Sequence, residues 1–352
     1  MRSYTYLGIV FTCCGSFTQA IEHLKQQAQK ALFKLKQVGT QQNIVTSLKL
    51  FDALILPIIR YCSEIWAPYM AKGINSENLM SLSDKLPAEK LHTKFCRFLL
   101  SVNKKATNAA VRAELGRYSL LPDLLCLSIK YWVTLCKHQP SALVYKAYQE
   151  SYSLASEKTH CWAHYIHDVC SHFNMDELWV NQGSAYKNKV IRDLRARAYD
   201  QYDRNWEKYI GREESKLRTY RTFKQKIYLE NYLISVKNPA TRREFTKLRI
   251  SAHRLRIELG RYTRPKTLVE DRKCELCKSD IENEMHFVLD CSLYKTEREA
   301  LFKELEAFTV FKSLNPVEQF QFVMSYNDGD TEVLKYVLNY VNQAMEKRRN
   351  FT

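Results

Sequence analysis

Apolar residues recur at alternating spacings of three and four along most of this chain, the period of a half-buried helix. Phe17, Ile21, Leu24, Ala28, Ala31, Leu32 and Leu35 make the clearest early stripe, with Ser16 placed to cap its start and Gly39 near its end. Ile44, Leu48, Phe51, Leu54, Ile55, Ile58, Cys62 and Ile65 predict a second helix, kinked at Pro57. Leu91, Phe95, Phe98, Leu99 and Val102 share a third face. A short helix should stop at Gly116, and Pro122 suits the first turn of the next, which would bury Leu125, Ile129, Trp132, Val133 and Cys136. Another helix is expected around Ala142 to Tyr148. Residues 3–12 instead alternate, through Tyr4, Tyr6, Ile9 and Phe11 about Gly8, and predict one or two short strands. The polar stretch 71–84 reads as a loop.

The best-defined helix begins at Asn238-Pro239, an N-cap residue followed by an N1 proline, and is expected to run to Gly260. Phe245, Leu248, Ala252, Leu255 and Leu259 form its inward stripe. At about 100° per residue, Arg243, Lys247 and Arg254 fall nearly opposite that stripe. Arg242, Arg249 and Arg256 form a second basic row on its shoulder. One side can be buried while two rows of cations face outward; the plainer alternative is a solvated charged face without a ligand. Leu301, Leu305 and Phe308 mark a later helix, and 316–349 one or two more.

Composition changes this picture in one respect. The 352 residues, 45% apolar, suffice for two or three folded domains and argue against disorder. Lys and Arg outnumber Asp and Glu by 54 to 38. Residues 184–273 hold 25 Lys or Arg against 11 Asp or Glu, a net +14, which leaves +2 for all the rest. Uniform basicity would mean solubility alone, whereas this concentration points to phosphate. Tyr186, Tyr199, Tyr202, Trp206, Tyr209, Tyr220, Phe223, Tyr228 and Tyr232 are interleaved with the cations. Most belong to a core by burial tendency, and the others can stack on unpaired bases. Arg242, Arg243, Lys247, Arg249, Arg254, Arg256 and Arg261 are therefore the candidate contacts to RNA or DNA. No apolar run approaches the ~18 residues of a membrane span and no signal segment opens the chain. No membrane partner is expected, and scattered thiols fit a reducing intracellular compartment, nucleus or cytoplasm.

Three of the eleven cysteines have ligand spacing: Cys274, Cys277, His286 and Cys291 read C-x2-C-x8-H-x4-C. Two thiolates on a tight turn, and an imidazole with a third thiolate, can enclose one zinc ion tetrahedrally. Four protein ligands leave no position for water, so the expected Zn2+ is structural. Buried cysteines beside a chance histidine would be the plain alternative. From Cys274 to Val310 the charge is −5, with 4 basic and 9 acidic residues, so this module itself is a poor phosphate clamp. His160, His164 and His167 share a helical face, but one helix cannot surround an ion, and they read as surface histidines with Trp162, Ile166 and Val169 inward.

Several of these stretches resemble LINE-type (non-LTR) retrotransposon reverse transcriptases. Tyr6-Leu7-Gly8-Ile9 with the basic helix after it, and Leu56-Pro57 through Tyr61 to Trp66, are similar to the palm end and thumb. Phe95 to Tyr118, ending Glu114-Leu-Gly-Arg-Tyr118, resembles the connector. Arg249 to His253, Ile257 to Tyr262, the C-x2-C, Glu282 to Phe287 and Cys291 to Tyr294 resemble the C-terminal zinc segment. The spacing is longer than in retroviral-type zinc knuckles. The catalytic Tyr-x-Asp-Asp of such polymerases is absent from the sequence. The resemblance thus implies a fragment of a polymerase polyprotein without the enzyme's active site, with no catalytic residues, whose further partner is the polymerase portion.

The expected fold is mainly α: helical thumb-like and connector bundles, a short N-terminal β element and a small CCHC zinc module. The expected segments are 1–80, the palm end and thumb; 81–183, a helical connector; 184–273, the basic nucleic-acid-binding region; 274–310, the zinc module; and 311–352, C-terminal helices. The expected function is noncatalytic nucleic-acid binding. The alternative is a stand-alone zinc-stapled helical module that binds protein.

Overall fold

Most of the helical stripes become helices in the computed structural model, which describes residues 3–37, 41, 43–183, 187–212, 214–307, 309–325 and 331–351. Gly39, Tyr186 and Phe308, each assigned a place above, lie outside these. The fold is mainly α, with a two-stranded antiparallel hairpin. The chain forms two compact units, each assembled from distant segments. The first comprises Met1–Val38, Leu48–Thr93 and Tyr118–Glu207; the second comprises Gly39–Ser47, Lys94–Arg117 and Lys208–Thr352.

In the first unit, strands Ser3–Tyr6 and Ile9–Thr12 pair through a two-residue turn, Leu7 and Gly8, both at positive φ as a tight hairpin requires. The Ser16 hydroxyl accepts the Thr18 N–H at the start of helix Thr18–Gln37. That helix buries Ile21, Leu24, Ala28, Leu32 and Leu35 and packs on Leu56–Arg60.

The helix expected over 44–65 is corrected to α-helix Ile44–Leu50, a π turn Phe51–Ile55, Leu56–Arg60 and then Ser63–Met70. Pro57 stands in the first turn of its short helix, where no N–H is needed. The break comes later, at Cys62 with φ 56°. There the Trp66 indole N–H donates to the Tyr61 carbonyl at 3.0 Å. The expected loop 71–84 is likewise shorter, because Leu79 and Met80 are buried in a helix Leu79–Lys85. Helix Ser63–Met70 packs on Leu121–Leu135, which buries Leu125, Ile129, Trp132 and Val133, and Trp162–His172 packs on Leu143–Ser156.

In the second unit, Pro239–Arg249 and Lys295–Leu305 both pack on the C-terminal helix Thr331–Phe351. The Asn238 side chain caps as expected, accepting from Ala240 N at 2.9 Å. The expected end at Gly260 is wrong: the helix stops at Arg249, and only Arg256–Leu259 is helical again. Ser251 takes φ 52°, Ala252 N–H donates to the Lys247 carbonyl at 2.8 Å, and Ser251 N–H donates to Leu248 at 3.3 Å. That is a Schellman ending with serine where glycine is usual. Ser101, Lys158, Asn174 and Gln182 end helices in the same left-handed way, each followed by a six-to-one bond.

Gly116 is the glycine that the fold demands. It sits at φ 62°, and a Cβ there would lie 2.5 Å from the backbone nitrogen of Leu229, which pairs with Leu115 in an isolated bridge. Gly116→Ala is expected to destabilise the protein by about 2–4 kcal/mol, from overpacking and left-handed strain together. Urea unfolding measures this, and a loss below about 0.5 kcal/mol would mean that the contact relaxes freely.

Candidate metal centre and basic cleft

Cys274 and Cys277 sit on a turn inside a small hairpin. Cys274 N–H donates to the Asp280 carbonyl at 2.8 Å, Lys278 N–H donates to Cys274 at 2.9 Å, and Lys273 bridges to Ile281. The positive φ of Lys278, 57°, closes the turn. His286 and Cys291 come from a π turn, His286–Asp290. Its i→i+5 bond, Cys291 N–H to the His286 carbonyl at 2.9 Å, returns the thiol to the side of the imidazole. An ordinary α turn would leave a fifth residue well around the helix.

The four ligand atoms lie within 4.8 Å of one another, a group able to hold a metal ion. Cys274 Sγ is 3.9 Å from Cys291 Sγ, far beyond a disulfide bond, and all eleven cysteines are free. Cys277 Sγ is 3.3 Å from His286 Nε2. His286 Nδ1 is buried without a hydrogen-bond partner, so Nε2 is the ring nitrogen presented to the thiols. Within the group one thiol is held ionised at the expense of the other. The hydrogen bond with Cys291 lowers the Cys274 pKa to about 3 against burial, and the Cys291 thiol is raised in turn. Burial opposes ionisation of Cys277, but Ser279 hydrogen bonds hold its pKa below the ordinary value. His160, His164 and His167 form no such group; His164 instead faces Asp168 at 3.7 Å.

Acidic residues of this module are turned inward and anchor it. Glu282, 1% exposed, takes a two-point contact from Arg348 at 2.6 and 2.9 Å and also accepts Arg256 N–H at 2.6 Å. Glu284, fully buried, binds Arg218 at 2.6 Å, His253 at 2.8 Å and Ser251 Oγ at 2.9 Å. Burial alone would raise the Glu284 pKa; the His253 charge and hydrogen bond, with Arg218, lower it to about 2. The net −5 of the segment is thus not an acidic surface alone.

The structure separates the seven basic candidates. Arg242 and Arg249 are 1% and 2% exposed, which corrects their assignment as ligand contacts. Arg242 donates to the carbonyls of Val236 at 2.6 Å and Gln41 at 2.5 Å. Arg249 meets Glu114 through two bonds of 3.0 Å and Glu230 at 3.1 Å, and donates to the Met324 carbonyl. Burial would lower the Arg249 pKa, but Glu114 and Glu230 raise it. The second basic row is therefore mostly core, because the shoulder of the helix also packs. Arg256 pairs with Glu275 at 3.1 Å and Arg261 with Glu258 at 3.2 Å, both half-buried. Arg243 and Lys247 are half-buried and Arg254 is exposed. Of the interleaved aromatics, Tyr202, Trp206, Tyr220, Phe223 and Tyr232 are core, while Tyr228 is exposed.

Lys247 and Arg254 line a cleft of about 790 Å³ that the sequence did not disclose. Lys105, Lys216, Arg349 and Tyr262, far apart in the sequence of the second unit, line it too. Lys105 Nζ sits 4.2 Å over the Tyr262 ring. Glu275, between the two cysteines of the C-x2-C, also lines this cleft, so cleft and metal group adjoin. Comparison with protein-family models, with curated proteins and with solved structures finds no match in any of the three.

Proposed function

We propose that this chain is a noncatalytic nucleic-acid-binding region held in shape by one structural zinc ion, of the kind that forms the C-terminal part of LINE-type reverse transcriptase polyproteins. The observation that carries the binding is the cleft, where Lys216, Lys247 and Arg254 of the +14 segment meet Lys105 and Arg349. The cleft's carboxylates each meet a cation outside the set offered to phosphate: Glu244 meets Arg243 at 3.3 Å as well as Lys247 at 3.0 Å, Glu258 meets Arg218 at 2.7 Å, and Glu275 meets Arg256. The excess positive charge is left for phosphate.

The donor set supports zinc. In a tetrahedron of Zn–S bonds near 2.3 Å, sulfurs stand about 3.8 Å apart, and a sulfur and a ring nitrogen about 3.5 Å. Two of the separations, 3.9 and 3.3 Å, are close to these values, and all four atoms lie within 4.8 Å of one another. Three thiolates and one imidazole suit Zn2+ over the hard cations, and four protein ligands make it structural. The ion would fix the hairpin and the π turn; the residues that position the module, Glu282 and Glu284, reach back to Arg348, Arg218 and His253.

Binding to labelled RNA or DNA of the intact chain tests this. With Lys105 set over the Tyr262 ring and the other four cations on phosphate, log affinity is expected to fall with log salt at a slope of about −3. Lys247→Glu and Arg254→Glu should each weaken binding and make the slope about one unit shallower. Absence of binding at low salt would sink the proposal. A zinc-stapled module that binds protein remains the second reading, favoured by the exposed Tyr4, Tyr6 and Leu7 of the hairpin, at 60%, 56% and 72%. A pull-down that survives nuclease treatment would support it.

A further inference from the structure

The cleft has features beyond its charge. It is a concavity in the size range of sites that enclose small ligands, rather than a flat basic face. An aromatic ring stands in its lining: Tyr262 is 51% exposed, and no other ring stacks on it among the described residues. Tyr202, Tyr220 and Tyr232, from the same basic segment, are all buried, whereas Tyr262, like Tyr228 beside Lys224, stands open next to a lysine. The Lys105 ammonium over the ring holds one face, at 4.2 Å.

The cations around Tyr262 are in unequal states. Arg254 is exposed and makes no ion pair among the described residues. Lys216 is mostly buried, 3.8 Å from Glu258, and it donates to the Lys105 carbonyl at 3.0 Å. Burial and the neighbouring Arg261, Lys105 and Arg218 lower its pKa, against Glu258, which raises it. Lys216 therefore enters the cleft partly desolvated, with its ammonium already placed by Glu258 and the Lys105 carbonyl. Arg349 reaches Glu244 only at 3.9 Å.

A cation ring around an open aromatic face has a specific consequence. In a duplex the base faces are stacked on one another, and a tyrosine ring cannot reach them without unstacking. In a single strand the bases can splay out while the phosphates follow a basic groove. We infer that this cleft binds a single-stranded stretch of nucleic acid, with one base stacked on Tyr262 and the flanking phosphates held by Lys216, Lys247, Arg254 and Arg349. The inference rests on the proposed nucleic-acid function and narrows it to one site and one strand form.

The test compares the intact protein and its variants against a labelled ten-nucleotide RNA without secondary structure and a blunt hairpin duplex of equal charge, by fluorescence anisotropy at fixed salt. Tyr262→Ala is expected to weaken single-strand binding about tenfold while leaving duplex binding unchanged. Tyr262→Trp should restore it, and Tyr262→Leu, similar in bulk but without a π face, should not. Arg254→Glu should weaken both forms. Unchanged single-strand affinity in Tyr262→Ala, equal rescue by leucine, or a wild-type preference for duplex would overturn the inference while leaving nucleic-acid binding standing. If wild-type protein binds neither probe at low salt, the functional proposal fails as well, so the two failures are distinguishable. Because Tyr262 is half exposed, its replacement should not unfold the unit, and unchanged thermal unfolding of each variant checks that.

Discussion

Arg249→Ala is expected to destabilise the second unit by about 3–5 kcal/mol. The reason is the charge left behind. Glu114 is fully buried and Glu230 nearly so, and Arg249 is the cation both share. Lys224 compensates in part, at 2.5 Å from Glu230, and Tyr232 donates to Glu114 at 2.7 Å. Neither replaces the two parallel bonds that Arg249 makes to Glu114. Removing one partner of a buried pair exposes the other to the full desolvation cost, which is why the loss exceeds what the pair contributes net. Arg243→Ala, on the same helix but half exposed, should change stability by less than about 0.5 kcal/mol. Urea unfolding followed by circular dichroism measures both. Equal, small effects would show that the two arginines are interchangeable surface charges and that the burial of Arg249 carries no weight.

Metal removal is expected to have the largest local effect. Structural zinc in small domains is bound with apparent energies on the order of 10–16 kcal/mol near pH 7, and that energy is folding energy. The hairpin and the π turn hold few backbone bonds of their own: Cys274 N to Asp280, Glu282 N to Arg272 and Cys291 N to His286 are the main ones. Chelation, or Cys274→Ser, should therefore abolish amide protection first over 272–294. It should then loosen Ser251, His253 and Arg256, which lean on Glu284 and Glu282. Purified protein should carry one zinc per chain. No metal in elemental analysis, together with unchanged hydrogen exchange in Cys274→Ser, would reduce the group to a packed cysteine cluster.

The sequence disclosed the helical class, the hairpin and the four residues of the candidate metal group, because each rests on local spacing. Period and turn chemistry locate Thr18–Gln37 and the start at Asn238, and C-x2-C with H-x4-C marks the four side chains that the fold brings together. The errors have a common cause in tertiary contacts. Ser251 ends a helix left-handed without glycine, with its hydroxyl bonded to Glu284, thirty-three residues away. The helical wheel sorted Arg242 and Arg249 to a basic row, yet their partners Gln41 and Glu114 come from far upstream. Repetition also misleads: Glu-Leu-Gly-Arg-Tyr occurs at 114–118 and 258–262, with both glutamates buried against arginine. Gly116 nevertheless adopts φ 62° and Gly260 φ −62°. The cleft was illegible for the same reason, since nothing in the spacing of Lys105, Lys216 and Arg349 brings them to Lys247.

The proposed function joins the metal group to the cleft: a zinc-held scaffold would present cations to nucleic acid. Single-strand affinity measured before chelation, after it, and after zinc is restored tests that link most directly. Binding should be lost with the metal and recover on its return, because Glu275 within the C-x2-C and His253 beside Glu284 both line the cleft. Full affinity retained by protein shown to be free of metal would contradict it.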